Sequence, residues 1–267
     1  MKPTIKTLSI LAIGLGSLAA GCTDYVQPDR PSPEAKVYRG SVLEYLADVH
    51  DDGVKFDSLL YIIDNIPGLR DKIQNAEGEF TLFVPTDESV RNAIESLNLH
   101  RKSTDIEGKI YLKDILIEPF NIEDTTIVTV LEEEHVSFSY RHFDYRAKLD
   151  SLVSKYFIEG NLTSDVVISE GGRLRVNSIL NGSEMMVEAG RHDASGNVGT
   201  GLKHLNLIEA NNSNQISNWT YSEAAQSDIK ANNGTIHVIS NNHQFGFNHF
   251  IEKFITRGTE KGVCTRL

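Results

Sequence analysis

The sequence predicts one domain that mixes helices and strands, helices first and strands later. Three observations carry this. Residues Gly78 to Val90 read GEFTLFVPTDESV, a strand that runs into a helix with no loop between. Apolar residues before it recur at helical spacing. After Gly160 the chain reads mostly as short strands separated by Gly-Gly and Asn-Gly, both hairpin signals. The 267 residues are 40% apolar, enough for a sizeable core. The formal charge of −11 disfavours nucleic-acid binding, which needs a basic face.

Each element has a local reason. Ser41 and Glu44 stand at capping-box spacing, with Val42, Leu46 and Val49 on one helical face and Gly53 as the expected stop. A second helix starts at Asp57 with Leu59, Ile62, Ile63 and Ile66 as its stripe, and Pro67-Gly68 end it. Leu69 and Ile73 mark a short third. Phe80 to Val84 has no polar side, so a strand buried on both faces is expected. Pro85 cannot donate to a ladder and ends it. Thr86 or Asp87 caps the next helix, whose first turn carries Asp87 and Glu88 where carboxylates favour the helix dipole. Val90, Ala93, Ile94 and Leu97 face inward.

From Asn98 to Tyr145 the pattern is mixed. KIYLKDILI, TTIVTVL and VSFSYRHF read as strands, with Glu132 to His135 as a charged break. Leu149, Leu152, Val153 and Tyr156 return to helical spacing. DVVIS, RLRVNSIL, SEMMVEA, LKHLNLIEA, SNWTYSEA and TIHVIS then read as strands, and Gly190 to Gly201 as a long flexible loop. GFNHFIEKFI closes the chain as a strand or short helix.

The first residues read differently. Lys2 and Lys6 precede an apolar stretch, Leu8 to Ala20, shorter than the roughly 20 residues that span a bilayer. Ala19, Ala20 and Gly21 lead into Cys22. LAAGC resembles the lipobox of bacterial lipoproteins, in which the leader is removed and the cysteine acylated. Residues 1–21 are therefore expected to be a lipoprotein signal peptide, and 22–40 a lipidated cysteine with a tether. The tether holds Pro28, Pro31 and Pro33 and reaches about 50 Å if extended. Residues 41–267 are expected to be a single domain. A lipidated Cys22 leaves Cys264, the second of two cysteines, without a disulfide partner; an unlipidated one permits a Cys22–Cys264 bridge. Thr23, not aspartate, follows Cys22, which is compatible with outer-membrane sorting, with the periplasmic or surface face left open.

FTLFVPTDESV and NNGTIHVIS, Asn232 to Ser240, stand in this order near opposite ends of the domain. Together they resemble the fasciclin-like domain family, with Pro85, Thr86, Asp87, Tyr156 and His237 on matching positions. Two departures stand out: Phe157 replaces the histidine usual after the tyrosine, and Ser240 an aspartate. The resemblance covers roughly residues 41 to 256, with an insertion at 98–145. It implies an α+β fold, a fasciclin-like twisted β-sandwich or wedge with several helices packed at its edge. It also implies an extracellular adhesion module that binds a protein or glycan.

Chemical motifs are sparse. His237, His243 and His249 are spaced six and six, unlike a helical metal site, and read as structural or surface histidines. Asp193, Ser195 and Asn197 alternate like a calcium loop, but Val198 replaces the required glycine and His204 the bidentate glutamate. Neither a metal nor another cofactor is expected. No Gly-x-Ser-x-Gly elbow is present. Trp219 and Tyr221 would share one face of a strand, and Tyr140 and Tyr145 lie in the insertion. All four are candidate ligand contacts, weighed against an aromatic core as the more economical reading. The expected function is that of a membrane-tethered, non-catalytic envelope lipoprotein binding a protein or glycan. The alternative is an envelope enzyme acting on polysaccharide through paired carboxylates.

Overall fold

Ser41 opens the first helix as its spacing predicts. Its hydroxyl accepts from the Glu44 amide at 3.2 Å, and the Glu44 carboxylate accepts from the Ser41 amide at 2.6 Å. The structure is a computed structural model. It describes residues 36–254 except 51, 77–78, 131–132, 195, 211–212 and 214, with the backbone alone at 122 and 124–141. The expected leader, Cys22, most of the tether and Cys264 lie outside the described residues. The described residues belong to one compact unit, Ala35–Leu267.

The helices α1 (Val42–Ala47), α2 (Asp57–Asn65) and α3 (Leu69–Gln74) lead to strand β1 (Phe80–Val84) and helix α4 (Asp87–Ser103). Then come α5 (Leu112–Ile115), the long strands β2 (Phe120–Val130) and β3 (Glu133–Phe143), and α6 (Tyr145–Val153) with a 3-10 turn at Ser154–Tyr156. The remainder is β4 (Phe157–Glu159), α7 (Ser164–Ser169), β5 (Arg173–Asn177), β6 (Glu184–Arg191), β7 (Lys203–Glu209), β8 (Thr220–Ala231), β9 (Gly234–Ile239) and α8 (Phe250–Phe254).

Seven strands form one sheet in the order β4-β1-β9-β8-β7-β6-β5. β1 and β9 run parallel, from Phe80 opposite Gly234 to Val84 opposite Val238, so the two motif segments are neighbours in one core. The sheet curls until its ends nearly meet. Ile158 of β4 bridges Ser178, and the Ile179 amide donates to Phe157 O at 3.0 Å. The expected sandwich or wedge is thus a single mixed sheet almost closed into a barrel, with helices beside it, an α+β fold. β2 and β3 form a separate two-stranded ribbon. At its base Phe120 and Phe143 stack at 5.3 Å and join the buried Tyr145.

The strand-to-helix corner is built as its residues dictate. Every residue of β1 is buried. Thr86 caps α4, its hydroxyl accepting from the Ser89 amide at 3.4 Å. Asp87 reaches back instead: its carboxylate accepts from the Ser58 amide of α2 at 2.7 Å, fixing one helix start to another.

Several local expectations are corrected. α1 stops at Ala47, not at Gly53, and Val49 is 91% exposed; the Asp48 carboxylate accepts from the Val49 amide and offers the backbone an alternative to the helix. KIYLKDILI is not a strand. Asp114 accepts from the Tyr111 amide at 2.8 Å and opens the single turn α5. DVVIS is the helix α7, capped by Thr163 and by the Asp228 carboxylate, which accepts from the Ser164 amide at 2.6 Å. Gly171 and Gly172, both with positive φ, close that helix onto Ile168 and Val167 carbonyls rather than turning a hairpin. Val130 pairs with Glu133, so Glu133 to His135 belong to β3. The 190–201 segment is tied: the His192 amide donates to Leu202 O, and the Gly199 amide to Asp193, each at 2.9 Å. Residues 36–40 are not free tether. The Tyr38 amide donates to Lys230 O, and the Asn232 amide to Gly40 O, each at 2.8 Å, so the domain begins by Lys36.

Candidate binding face on the outer sheet

Alternation divides β5 to β8 into two faces. Met185, Val187, Ala189, Leu205 and Leu207 turn to the main core. The other face presents two cross-strand rows: Arg175, Met186, Ile208 and Tyr221, then Arg173, Glu188, Asn206 and Glu223. Met186 and Ile208 are buried, yet neither belongs to the main core cluster. Something on the outer side covers them.

Trp219 fits that role. It follows a 3-10 turn at Ile216–Asn218 and precedes β8, so it is not itself in a strand. Its indole N–H donates to Ser213 O at 2.7 Å. Its ring centre lies 6.5 Å from that of Tyr221 on β8 and 5.2 Å from the Arg173 guanidinium on β5. Those strands are three spacings apart, about 14 Å. The indole therefore lies between the Tyr221 ring and the Arg173 guanidinium, on the face that carries Met186 and Ile208. Trp219 is half-buried, and Tyr221 remains 42% exposed. Arg173 pairs with Glu188, and Arg175 with Glu184 at 2.8 Å, so the guanidiniums on this face are neutralised in place.

The other candidate contacts fall elsewhere. Tyr145 is a core ring, 3% exposed, and not a ligand contact; it packs on Phe120, Phe143 and Phe254 because the ribbon base needs an apolar seat. Tyr140 stands opposite Glu123 in the ribbon, and its side chain lies outside the described atoms. Pro85 is buried at the β1–α4 corner.

Tyr156 and His237 are internal. His237 is fully buried. Its Nδ1 accepts from the Asp228 amide at 3.0 Å, so Nε2 carries the proton and donates to Leu162 O at 2.8 Å. Burial pushes its pKa down to about 4. Phe157, where a histidine was the expected residue, is buried beside Phe80. Tyr156 finds a histidine from elsewhere in the chain: its hydroxyl accepts from the Gly246 amide and donates to His243 Nε2, both at 2.7 Å. His243 Nδ1–H then donates to Ser222 Oγ at 2.5 Å. Burial holds His243 neutral, its pKa pushed down to about 3, and raises that of the Tyr156 phenol. These groups are occupied by internal partners and are buried.

A shallow cleft of about 280 Å³ opens beside the β1–α4 corner, lined by Asp52, Lys55, Thr86, Asp87, Glu88 and Asn241 among others. Its carboxylates have separate partners. Asp52 accepts from the Val54 amide at 3.1 Å, which holds its carboxyl below the usual range, and from the Gln226 amide group. Asp87 is bound to α2, and Glu88 to Arg91. Glu209 is buried against Lys155, with His249 Nε2 at 3.4 Å. Among the described residues no group of three or more His, Cys, Asp or Glu could hold a metal ion.

Sequence reading missed the roles of Met186, Ile208, Arg173 and His243. A signal existed for the first two. Met185-Met186 and Leu207-Ile208 are consecutive apolar pairs in strands that otherwise alternate, the mark of cover on both faces.

No family model matches the chain, and no curated protein matches it. Among solved structures, the chain is similar to a FAS1 domain pair from the insect cell adhesion molecule Fasciclin I, at 14% identity and a TM-score of 0.40. The likeness covers 71% of this chain and 45% of that one, so the chain spans less than half the length of the structure it matches.

Proposed function

We propose that this protein is a lipid-tethered, non-catalytic binding module of a bacterial cell envelope, which holds its partner on the outer face of β5 to β8. The observation that carries the binding face is the partly exposed aromatic surface of Trp219 and Tyr221, in which Trp219 is held by Ser213 and Arg173 and Tyr221 lies beside it. An immobilised aromatic surface orders little further on binding and so loses little entropy. The engagement of Asp52, Asp87 and Glu88 by separate partners weighs against a carboxylate pair sharing one reaction. The resemblance of the two sequence motifs to fasciclin-like domains supports the same reading.

Two measurements test it. Full-length protein incubated with envelope polysaccharide should be retained on it while the reducing ends in solution stay constant; reducing ends that rise with time would overturn the non-catalytic reading. Cys22→Ala should move the protein from the membrane pellet to the soluble fraction, because acyl chains contribute about 0.8 kcal/mol per buried methylene to membrane binding. Unchanged pelleting of this variant would remove the lipid anchor from the account.

A further inference from the structure

We infer that the partner on the Trp219 face is a short segment of uncharged glycan, an inference that rests on the binding-module reading above. Size decides first. The two residue rows span three strand spacings, about 14 Å, and Glu184 to Glu188 spans about 14 Å along β6. The patch is then on the order of 200 Å², against about 800 Å² per partner in a stable protein–protein interface. A folded protein would need surface well beyond these two rows, whereas an oligosaccharide lying across the strands fits within them.

Chemistry decides next. The C–H face of a pyranose packs against the electron-rich face of an aromatic ring, which Tyr221 presents in the open and Trp219 in part. Around the rings stand Arg175 with Glu184, Arg173 with Glu188, and Asn206 with Glu223. A guanidinium has five donors and a carboxylate about four acceptor sites, so ion pairing leaves hydrogen-bonding capacity on each. Sugar hydroxyls, which donate and accept, match this mixed rim.

Charge excludes the acidic polymers. The two ion pairs cancel, Glu223 adds a negative charge, and the whole chain carries −11. A uronate or phosphate polymer meets repulsion, while an uncharged one meets none.

Trp219 is the chain's one tryptophan, so its emission reports on this face alone. The test is a fluorescence titration of the full-length protein with uncharged hexose and N-acetylhexosamine oligosaccharides, and with uronic-acid oligosaccharides of equal length. A saturable emission change is expected with at least one uncharged oligosaccharide and none with the acidic ones. Tyr221→Ala should weaken that binding about five- to ten-fold, and Tyr221→Phe should leave it within two-fold. An emission that stays flat across the uncharged panel overturns the inference, as does an equal response to acidic oligosaccharides or one indifferent to Tyr221→Ala. Flat emission with continued retention on envelope polysaccharide removes the uncharged-glycan assignment alone. Flat emission with no retention removes the binding-module reading as well.

Discussion

Gly234→Ala is expected to be the most destabilising small substitution in the domain. Gly234 opens β9 opposite Phe80, on the first rung of the parallel pairing with β1. A Cβ there would press into the Phe80 carbonyl oxygen and meet Val42 Cγ2 at 3.5 Å. Phe80 O belongs to a backbone held on its other side by β4, so it cannot give way as a side-chain tip would. The two strands must part, and the layer of α1 above them with it. A loss above about 4 kcal/mol is expected, beyond the usual range for a point substitution. Gly182→Ala is the control. It has φ +70 and no atom within 4 Å of an added Cβ, so only backbone strain applies, about 1–2 kcal/mol. Urea unfolding of both variants checks this; an unchanged midpoint for Gly234→Ala would show that β1 and β9 are not in the register described.

The second large effect is with pH. His237 and His243 are neutral in the folded protein, with pKa values pushed down to about 4 and about 3 by burial, while an unfolded histidine titrates near 6.5. Below 6.5 the unfolded chain takes up protons that the folded one refuses. Stability is therefore full above that pH and falls as pH drops toward the folded values. The slope is on the order of 1 kcal/mol per pH unit for each histidine. Asp52 and Glu44, whose carboxyls are held low by the backbone amides of Val54 and Ser41, add their own loss only as the pH approaches the carboxylate range. Between pH 6.5 and 5 the histidines should dominate. Urea midpoints over that interval should fall, and His243→Asn should halve the slope. A flat profile would mean that these imidazoles are hydrated or charged in the folded state.

What could be read from the sequence was what neighbouring residues decide. Ser41 with Glu44, Thr86 after Pro85, and the stripe of α2 each need only a few consecutive positions, and each stands as expected. His237 could be placed inside a strand for the same reason. The errors fall where an element is short and its stabilising partner distant. DVVIS has β-branched residues that favour a strand, yet Asp228, sixty-four positions away, caps it as a helix. Tyr156 was legible as a helix-end residue, but its partner His243 lies eighty-seven positions on, in a loop with no pattern of its own. The proposed binding face was half legible. Trp219 and Tyr221 were singled out, but not the Arg173 contact or the row that Met186 and Ile208 share with Tyr221, because strand order is not written in any one strand. Tyr145, grouped with them by composition, belongs to the core.

In the proposed function a partner is held on the outer sheet face, and not in the cleft at the β1–α4 corner. Retention of full-length protein on envelope polysaccharide should be compared across Tyr221→Ala, Asp52→Asn and Glu88→Gln, with matched unfolding midpoints. Loss with Tyr221→Ala and near-normal retention with the two cleft variants is the expected result. Normal retention with Tyr221→Ala, or loss on neutralising Asp52 or Glu88, would contradict it and move the functional site to the cleft.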